Sequence, residues 1–336
     1  MELKIEKVHT VLSIPDEWDN LATCFYQRKQ FLLHSQNWNR CNQRYYLAYE
    51  DNRLVAGAVV YTLILNLFTY SKFTLPVKMQ ITGIPCSVSC QGLIGNYQYA
   101  YELLDHIFSV EKGLCLALNL ENTTGISRRI VVGKTLPAIV LKNHFSDWEE
   151  YLDKIRSDYR HRLKLVEEKS KDLKFQRGTC LRFNETMYYQ YLQVFDQSEA
   201  KLEMLNLNFF KFLPDEFCLT TITIKDDLLG WFITLYADQK LYFFLGGLDY
   251  NLNKEYTIYL RLLSEIIQLG IKLNVESIDL GQTAEEPKMR LGGENHKLYL
   301  AAFHKNLVVR LFLRSTIKLL EYKNKIPTHR VFKENV

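Results

Sequence analysis

Lys288 and Arg290 belong to a short basic loop that ends at two glycines, residues 292 and 293. A guanidinium can hold a phosphate or a carboxylate through two parallel hydrogen bonds, and an ammonium group adds a compact positive charge. We therefore expect this loop to bind a negatively charged group. The alternative interpretation of Lys288 is an ordinary lysine in a surface loop.

A second set of polar residues follows an apolar run that is typical of a strand. Asp249 and Tyr250 come after this run, which ends in FLGGL. A carboxylate or a phenol near the end of a strand can act as a general base. The chain shows no Ser-His-Asp or Cys-His signature, so the pattern does not favour a covalent intermediate. Asp249 has the alternative interpretation of a simple turn residue.

Arginines also mark one face of a predicted helix. Apolar spacing predicts one amphipathic helix over residues 147–170, and Arg156, Arg160 and Lys164 recur at every fourth position on a neighbouring face. Basic faces attract phosphates, whether on RNA, on a nucleotide carrier or on an anionic lipid. Arg156 and Arg160 are therefore candidate phosphate-binding residues, with a solvated helix face as the alternative.

The composition is that of an ordinary globular protein. The 336 residues are 47% apolar and 24% charged, with a net charge of +4, so the chain is long enough for two domains. Seven cysteines are scattered without a framework or zinc-binding spacing, which favours reduced thiols in the cytoplasm and predicts no metal site. The N-terminal residues show no signal peptide, and we expect no DNA partner.

Apolar periodicity predicts alternating strands and helices along the chain. Residues 54–71 carry no charge, but their Val, Ile and Tyr favour buried strands over a membrane-crossing helix. Residues 79–93 contain several Gly and Ser, which predicts irregular structure. Further strands are predicted over residues 44–50, 114–120, 138–142, 218–224, 229–236, 240–245 and 277–280, and further helices over residues 97–110, 185–196 and 256–271.

The last predicted helix is both basic and amphipathic. Residues 306–323 place leucines on one side and Arg310, Arg314 and Lys318 at every fourth position. Such a helix can lie on an anionic membrane or bind an RNA backbone. Packing on its own domain is the alternative.

Residues 230–293 carry a resemblance to a known family. They combine a Gly-Trp strand, a strand that ends in FLGGLDY, a helix with paired isoleucines, a short strand that ends in Gly281, and the motif Lys288-x2-Leu291-Gly292. In this order they resemble the duplicated-GNAT N-acyltransferases, which include Fem-type aminoacyltransferases and related peptidoglycan-biosynthesis acyltransferases. Residues 147–303 carry most of the resemblance, while the first half matches by length and element order.

The resemblance implies an α+β fold of two GNAT-like lobes, each a mixed, mostly antiparallel sheet flanked by helices. Residues 1–146 would form the first lobe, residues 147–303 the second, and residues 304–336 the basic C-terminal helix and tail. In such lobes, splayed central strands expose backbone N–H groups that polarise an acyl carbonyl, which an amine then attacks.

The implied function is the transfer of an acyl or aminoacyl group from a carrier to an amine acceptor, without a covalent intermediate. Lys288 and Gly292 match the Fem-type pattern of a lysine before a glycine, which implies that Lys288 stabilises negative charge near the reacting ester. Arg290 would share this work. Asp249 and Tyr250 end the strand where GNAT lobes present the acyl group.

Residues 251–255 indicate which carrier brings the acyl group. They read NLNKE, without the glycines that let CoA-dependent GNAT proteins hold a pyrophosphate on backbone amides. This favours an aminoacyl-tRNA or another carrier-bound donor, with tRNA, a carrier protein or CoA as possible carriers and no tightly bound cofactor. Two alternatives remain: an acyl-CoA-dependent N-acyltransferase for a small amine or amino acid, and a non-catalytic GNAT-like module that binds RNA or an anionic membrane.

Overall fold

The computed structural model describes residues 3–68, 73–86, 88–198, 201–323 and 327–333. The chain divides into two compact units, each with its own sheet and apolar core. Unit 1 comprises Met1–Leu136, Glu199–Phe209 and Lys297–Asn324. Unit 2 comprises Pro137–Ser198, Phe210–His296 and Lys325–Val336.

The described chain forms eleven α-helices and fifteen β-strands. The helices are α1 (Trp18–Leu21), α2 (Lys29–Trp38), α3 (Tyr97–Val110), α4 (Trp148–Lys154), α5 (Ser157–Lys169), α6 (Glu185–Gln197), α7 (Leu207–Lys211), α8 (Tyr250–Tyr256), α9 (Ile258–Lys272), α10 (Glu285–Met289) and α11 (Leu307–Leu320). The strands are β1 (Lys4–Val8), β2 (Arg44–Glu50), β3 (Arg53–Asn66), β4 (Pro76–Thr82), β5 (Leu93–Gly95), β6 (Leu114–Leu120), β7 (Val131–Lys134), β8 (Ala138–Lys142), β9 (Lys174–Thr179), β10 (Phe217–Ile224), β11 (Asp227–Ala237), β12 (Lys240–Leu248), β13 (Ser277–Asp279), β14 (Glu294–His296) and β15 (Tyr299–Phe303).

The two sheets repeat one pattern of strand pairing. Among the described residues, the unit 1 sheet runs β1-β2-β3-β4-β6-β15-β7, with β5 against β3, and the unit 2 sheet runs β9-β10-β11-β12-β13-β8-β14. In both orders the fourth and fifth strands are parallel, and the other neighbours are antiparallel. The predicted α+β fold of two mixed, mostly antiparallel sheets is confirmed.

Two strands do not follow the lobe boundaries predicted from the sequence. β8 follows the first half of the chain but pairs with β13 and β14 in unit 2. β15 follows the second half but pairs with β6 and β7 in unit 1. Their apolar side chains explain this placement, because Ile139 and Leu141 are buried in the core of unit 2, and Ala301 and Phe303 in that of unit 1. The compact units therefore differ from boundaries at residues 146 and 303, and α11 lies within unit 1.

The core of unit 2 forms where α9 packs against the sheet. Ile258, Leu262 and Ile266 recur at every fourth position and are buried on one face of this helix. Each such burial contributes about 1.5–3 kcal/mol. Any side chain at Gly270 would overlap Ile278 of β13, so the helix approaches the strand closely. Because α8 and α9 connect β12 to β13, this packing positions the parallel pair of strands.

Two predicted elements are wrong. Residues 79–93 are not irregular throughout, because β4 pairs with β3 and β6 and buries Met79 and Ile81. Residues 147–170 do not form one helix, because Ile155 and Arg156 have extended backbone angles between α4 and α5. Ile155 forms an isolated antiparallel bridge with Phe332, and a helical backbone would not allow this pairing.

Two further predictions concern the length of apolar segments. The uncharged segment forms the strand β3, as predicted, and residues 69–72 lie outside the described chain. The helix predicted over residues 256–271 is observed as α9, preceded by α8, and Thr257 separates the two with a φ of 50°. No helix of the described chain is long and apolar enough to cross a membrane.

Candidate functional site

The parallel strands of unit 2 separate soon after they meet. β12 and β13 pair at Lys240, Leu241 and Tyr242, and β13 ends at Asp279, while β12 continues to Leu248. We call the point after Tyr242 and Asp279 the strand fork. Beyond it, β12 makes no further ladder pairs with β13 among the described residues.

A bulge bends β12 at the same point. Thr234 pairs with Phe243 and Ile233 pairs with Leu245, so Phe244 is the extra residue. A bulge turns the strand and interrupts its ladder, and such features are common next to active sites. Further along β12, Gly247 leaves room for the ring of Trp231, whose indole Nε1 donates a hydrogen bond to the Met187 carbonyl at 2.9 Å. This ring fixes the course of β12 beyond the fork.

Lys288 places its amine at the strand fork. Its Nζ donates a hydrogen bond to the Gln282 carbonyl at 2.7 Å and lies 5.8 Å from the centre of the Phe243 ring. The side chain is only 2% exposed. A Cβ atom at Gly281, which follows β13, would lie 3.9 Å from this amine. The structure therefore brings Lys288 to the place where the two strands part.

The surroundings of Lys288 change its protonation. Burial lowers the pKa of this amine to about 7, although the carboxylates of Asp279 and Glu285 act in the opposite direction. Glu285 is itself buried in the first turn of α10. A lysine with a pKa near 7 can release and accept a proton at neutral pH, which an ordinary lysine cannot. This amine is suited to acid–base chemistry.

A tight turn fixes the loop after Lys288. The amides of Leu291 and Gly293 donate to the Lys288 carbonyl at 3.1 and 3.2 Å, and the Tyr151 hydroxyl donates to the Leu291 carbonyl at 2.9 Å. Gly292 has a φ of +88°, and a side chain at this position would overlap the ring of Phe332. Glycine is therefore required here by both the backbone conformation and the neighbouring ring.

Phe332 also lines a basic pocket. The pocket has a volume of about 400 Å³ and is lined by Arg156, His329, Arg330, Val331 and Phe332. The chain around Arg330 is held in place because the Arg156 amide donates to the Val331 carbonyl at 2.9 Å. His329 Nδ1 lies 3.3 Å from the Tyr159 hydroxyl. We call this site the basic pocket, and its two guanidinium groups give it a positive charge.

The first turn of α5 borders the basic pocket. Arg156 is the N-cap residue of this helix, and its side chain makes no capping hydrogen bond. Uncapped amides at a helix N-terminus favour anions. The acidic residue of this turn, Asp158, is exposed. Guanidinium groups and helix amides together suit a phosphate group.

The other predicted site residues have structural partners. Asp249 is the N-cap of α8, where its carboxylate accepts a hydrogen bond from the Asn251 amide at 2.8 Å. Tyr250 is half-buried against the unit 2 core, which raises the pKa of its hydroxyl. Arg160 forms an ion pair with Asp153 at 3.4 Å, and Arg290 forms one with Glu286 at 2.5 Å. Functional roles for these four residues stay predictions.

Sequence reasoning missed several residues of these sites. The sequence predicts Phe243 and Asp279 only as parts of strands, although both interact with the amine of Lys288. The sequence predicts His329, Arg330 and Phe332 only as part of a basic tail. Local periodicity gave no signal for them, because their partners lie more than 150 residues away in the chain.

No family model and no curated protein matches the chain, but solved structures do. FemX matches 92% of this chain over 100% of its own length, at 10% identity and a TM-score of 0.55. A tandem GNAT protein from the clavulanic acid biosynthesis pathway matches 90% of this chain over 98% of its own, at 10% identity and a TM-score of 0.53. This chain has a duplicated GNAT-like fold.

A third structure extends the comparison. L-PGS from Bacillus licheniformis matches 91% of this chain over 96% of its own, at 10% identity and a TM-score of 0.51. At this level of identity the similarity concerns the fold, and it confirms the fold that the sequence motifs imply. In this duplicated GNAT-like fold, unit 2 holds both Lys288 and the basic pocket. The chemistry of the site has to be argued from these residues.

Proposed function

We propose that this chain transfers an acyl or aminoacyl group from a carrier to an amine at the strand fork of unit 2. The observation that carries the proposal is the buried amine of Lys288, which lies at the fork and has a pKa near 7. The duplicated GNAT-like fold, shared with FemX and the tandem GNAT protein, supports acyl transfer as the reaction class.

In the proposed reaction, Lys288 acts first as the general base and then as the general acid. The acceptor nitrogen forms a bond to the acyl carbon, and the carbonyl oxygen becomes an oxyanion that backbone N–H groups of β12 beyond the strand fork stabilise. The neutral amine of Lys288 accepts the proton that the attacking nitrogen loses. Once protonated, Lys288 adds a positive charge near the oxyanion. The bond to the carrier then breaks, and the leaving oxygen or sulfur takes the proton from Lys288.

The start of α8 favours a donor other than acetyl-CoA in unit 2. The Asn251 amide already binds the carboxylate of Asp249, so a negative charge occupies the end of the helix where a pyrophosphate would need free amides. This supports an aminoacyl-tRNA or another carrier-bound acyl group as the donor. A cytoplasmic location stays a prediction from the cysteine pattern.

The basic pocket is our candidate for binding a phosphate of the carrier. Arg156 and Arg330 supply the charge, and Phe332 lines the pocket while its ring also packs on Gly292. Gly292 belongs to the turn that follows Lys288, so one aromatic ring connects the pocket to the reacting end of unit 2. A phosphate bound in the pocket would thus fix the carrier near the strand fork.

The test combines binding with turnover. Thermal-shift titrations with charged tRNA, acetyl-CoA and a long-chain acyl-CoA identify the donor class, and transfer to an amine is then followed by mass spectrometry. We expect charged tRNA to stabilise the protein and Arg156→Gln to raise the KM for the donor. Stabilisation and turnover with a CoA thioester alone would show that the donor is wrongly assigned. Binding without any transfer would contradict the enzymatic proposal and support a binding module.

A further inference from the structure

The helix α11 packs with one face against the unit 1 sheet. Leu313 and Leu320 are buried, and Val309 and Ile317 pack against the same cluster. Ile317 reaches β7, where a Cβ atom at Gly133 would lie 2.8 Å from its side chain. The helix needs four apolar side chains for this contact, which accounts for one of its faces.

A second apolar face of α11 is exposed. Its five members are 46–73% exposed to solvent: Leu307, Val308, Leu311, Phe312 and Leu319. At 100° per residue these positions fall within an arc of about 140° on the side of the helix away from Leu313. Single exposed apolar residues are ordinary, but a contiguous set on one helix marks an interaction surface.

A basic stripe borders this apolar face. Arg310, Arg314 and Lys318 recur at every fourth position, and no acidic residue lies within α11. The guanidinium of Arg310 lies 5.4 Å from the centre of the Phe303 ring, and Arg314 donates a hydrogen bond to the Arg128 carbonyl at 2.7 Å. Neither arginine forms an ion pair with a carboxylate of the described chain. Their positive charges are available to an anionic partner.

We propose that α11 docks unit 1 on an anionic lipid surface. Exposed apolar residues beside a row of basic residues define a helix that lies in the membrane interface, with the apolar side chains among the acyl chains and the basic ones at the head groups. An RNA backbone offers no apolar layer for five such side chains. A second copy of the chain would bring two positively charged helices together, which Coulomb repulsion disfavours.

The experiment is co-sedimentation of the full chain with vesicles of phosphatidylcholine, with or without one third phosphatidylglycerol. We expect binding to the anionic vesicles that weakens as salt rises, because the Debye length falls. Replacing two exposed residues, Val308→Ser with Leu311→Ser, should weaken binding about tenfold or more, since apolar contact is lost. Lys318→Gln should weaken it about fivefold at low salt, since each basic residue near the surface adds about 1 kcal/mol.

A matched control separates a specific surface from general stickiness. Leu181→Ser changes a side chain of unit 2 that is 61% exposed, and it should leave vesicle binding unchanged. Far-UV circular dichroism and thermal unfolding show whether each variant is folded. Equal binding by all variants, or no preference for anionic vesicles, would overturn the proposal. A concentration-dependent dimer that the double substitution abolishes would also overturn it, in favour of a second copy as the partner.

Discussion

The strand forks of the two units differ in what fills them. In unit 2, the single residue Phe244 bulges between the pairs that β12 makes with β11. In unit 1, residues 83–86 and 88–92, which we call the unit 1 loop, lie outside the strands at the corresponding place, between β4 and β5. Val59 of β3 marks this place, because its amide donates to Gly92 and its carbonyl accepts from Gly83. One bulge residue in unit 2 thus corresponds to a whole loop in unit 1.

Buried amides hold the unit 1 loop in its fork. Gln27 donates to the carbonyls of Gln91 and Leu93 at 3.0 and 3.1 Å. Asn119 lies on β6 just beyond its pairing with β4, and it donates to the Val88 carbonyl at 2.7 Å. The loop therefore occupies the region where the parallel strands of unit 1 separate. The same pairing pattern therefore occurs once with a fork filled by its own chain and once with a fork that presents a buried amine.

The first prediction concerns the loss of activity when the fork of unit 2 is changed. Lys288→Met should lower kcat by about 10²–10⁴-fold, because the proposed general acid–base group is lost. Asn119→Leu changes the fork of unit 1 and should leave kcat within about twofold for the folded protein. Single-turnover transfer assays measure both variants, with the exposed Lys254→Met as a control. Equal losses in the two forks would remove the functional distinction between the units.

The second prediction concerns how the stability contributed by the unit 2 fork depends on pH. The pKa of Lys288 is about 7 in the folded protein, against 10.5 for an ordinary lysine. Between pH 7 and pH 10.5 the unfolded chain binds more protons than the folded protein, so the free energy of unfolding of the wild type rises with pH. Below pH 7 the folded protein bears the full cost of burying a charged amine. Lys288→Met removes this penalty. Its stability relative to wild type should fall by on the order of 4 kcal/mol between pH 7 and pH 10.5.

Urea unfolding at several pH values measures this difference. The part of the difference in unfolding free energy that changes with pH comes from the titration of Lys288. The part that is the same at every pH comes from packing and from the loss of the hydrogen bond to Gln282. If the difference in unfolding free energy between wild type and Lys288→Met did not change with pH, the lowered pKa of the buried Lys288 amine would be contradicted.

A third prediction concerns the fork of unit 1, which is filled by its own loop. Gln27→Leu removes the donor to Gln91 and Leu93 while keeping a similar volume at a fully buried position. The free energy of unfolding should fall by about 3 kcal/mol, because buried carbonyls lose their partner. Gln98→Leu, at an exposed position of α3, should cost less than about 0.5 kcal/mol. Similar losses for both variants would show that the loop does not depend on this amide.

The smallest expected effect tests the turn after Lys288. Gly292→Ala should cost about 2 kcal/mol, because the residue has a positive φ and faces the ring of Phe332. Gly113 of unit 1 has a similar φ of +86° but an open environment, so Gly113→Ala should cost about 1 kcal/mol. Thermal unfolding measures both. Adding Phe332→Ala to Gly292→Ala should remove the steric part, and a purely additive double variant would argue against this contact.

Local pattern was enough to predict many elements. The helix α3 and the strands β2, β6 and β8 have the predicted bounds, because their apolar spacing fits one period along the whole element. The break between α4 and α5 was not predictable, since it depends on the bridge between Ile155 and Phe332 far along the chain. The motif predicts that Lys288 stabilises negative charge, and this role stays a prediction. Nothing local indicates that its side chain is buried.

The amino-acid sequence alone was enough to predict many of the strands and helices, the basic helix faces and the order of elements that resembles two GNAT-like lobes. These features depend on residue types at short spacings, which the chain carries locally. Only the tertiary structure decided that β8 and β15 join the sheets they do, that the fork of unit 1 is filled, and that Phe332 meets Gly292. It also decided the pKa of Lys288, because desolvation depends on the surroundings that the fold builds around an amine.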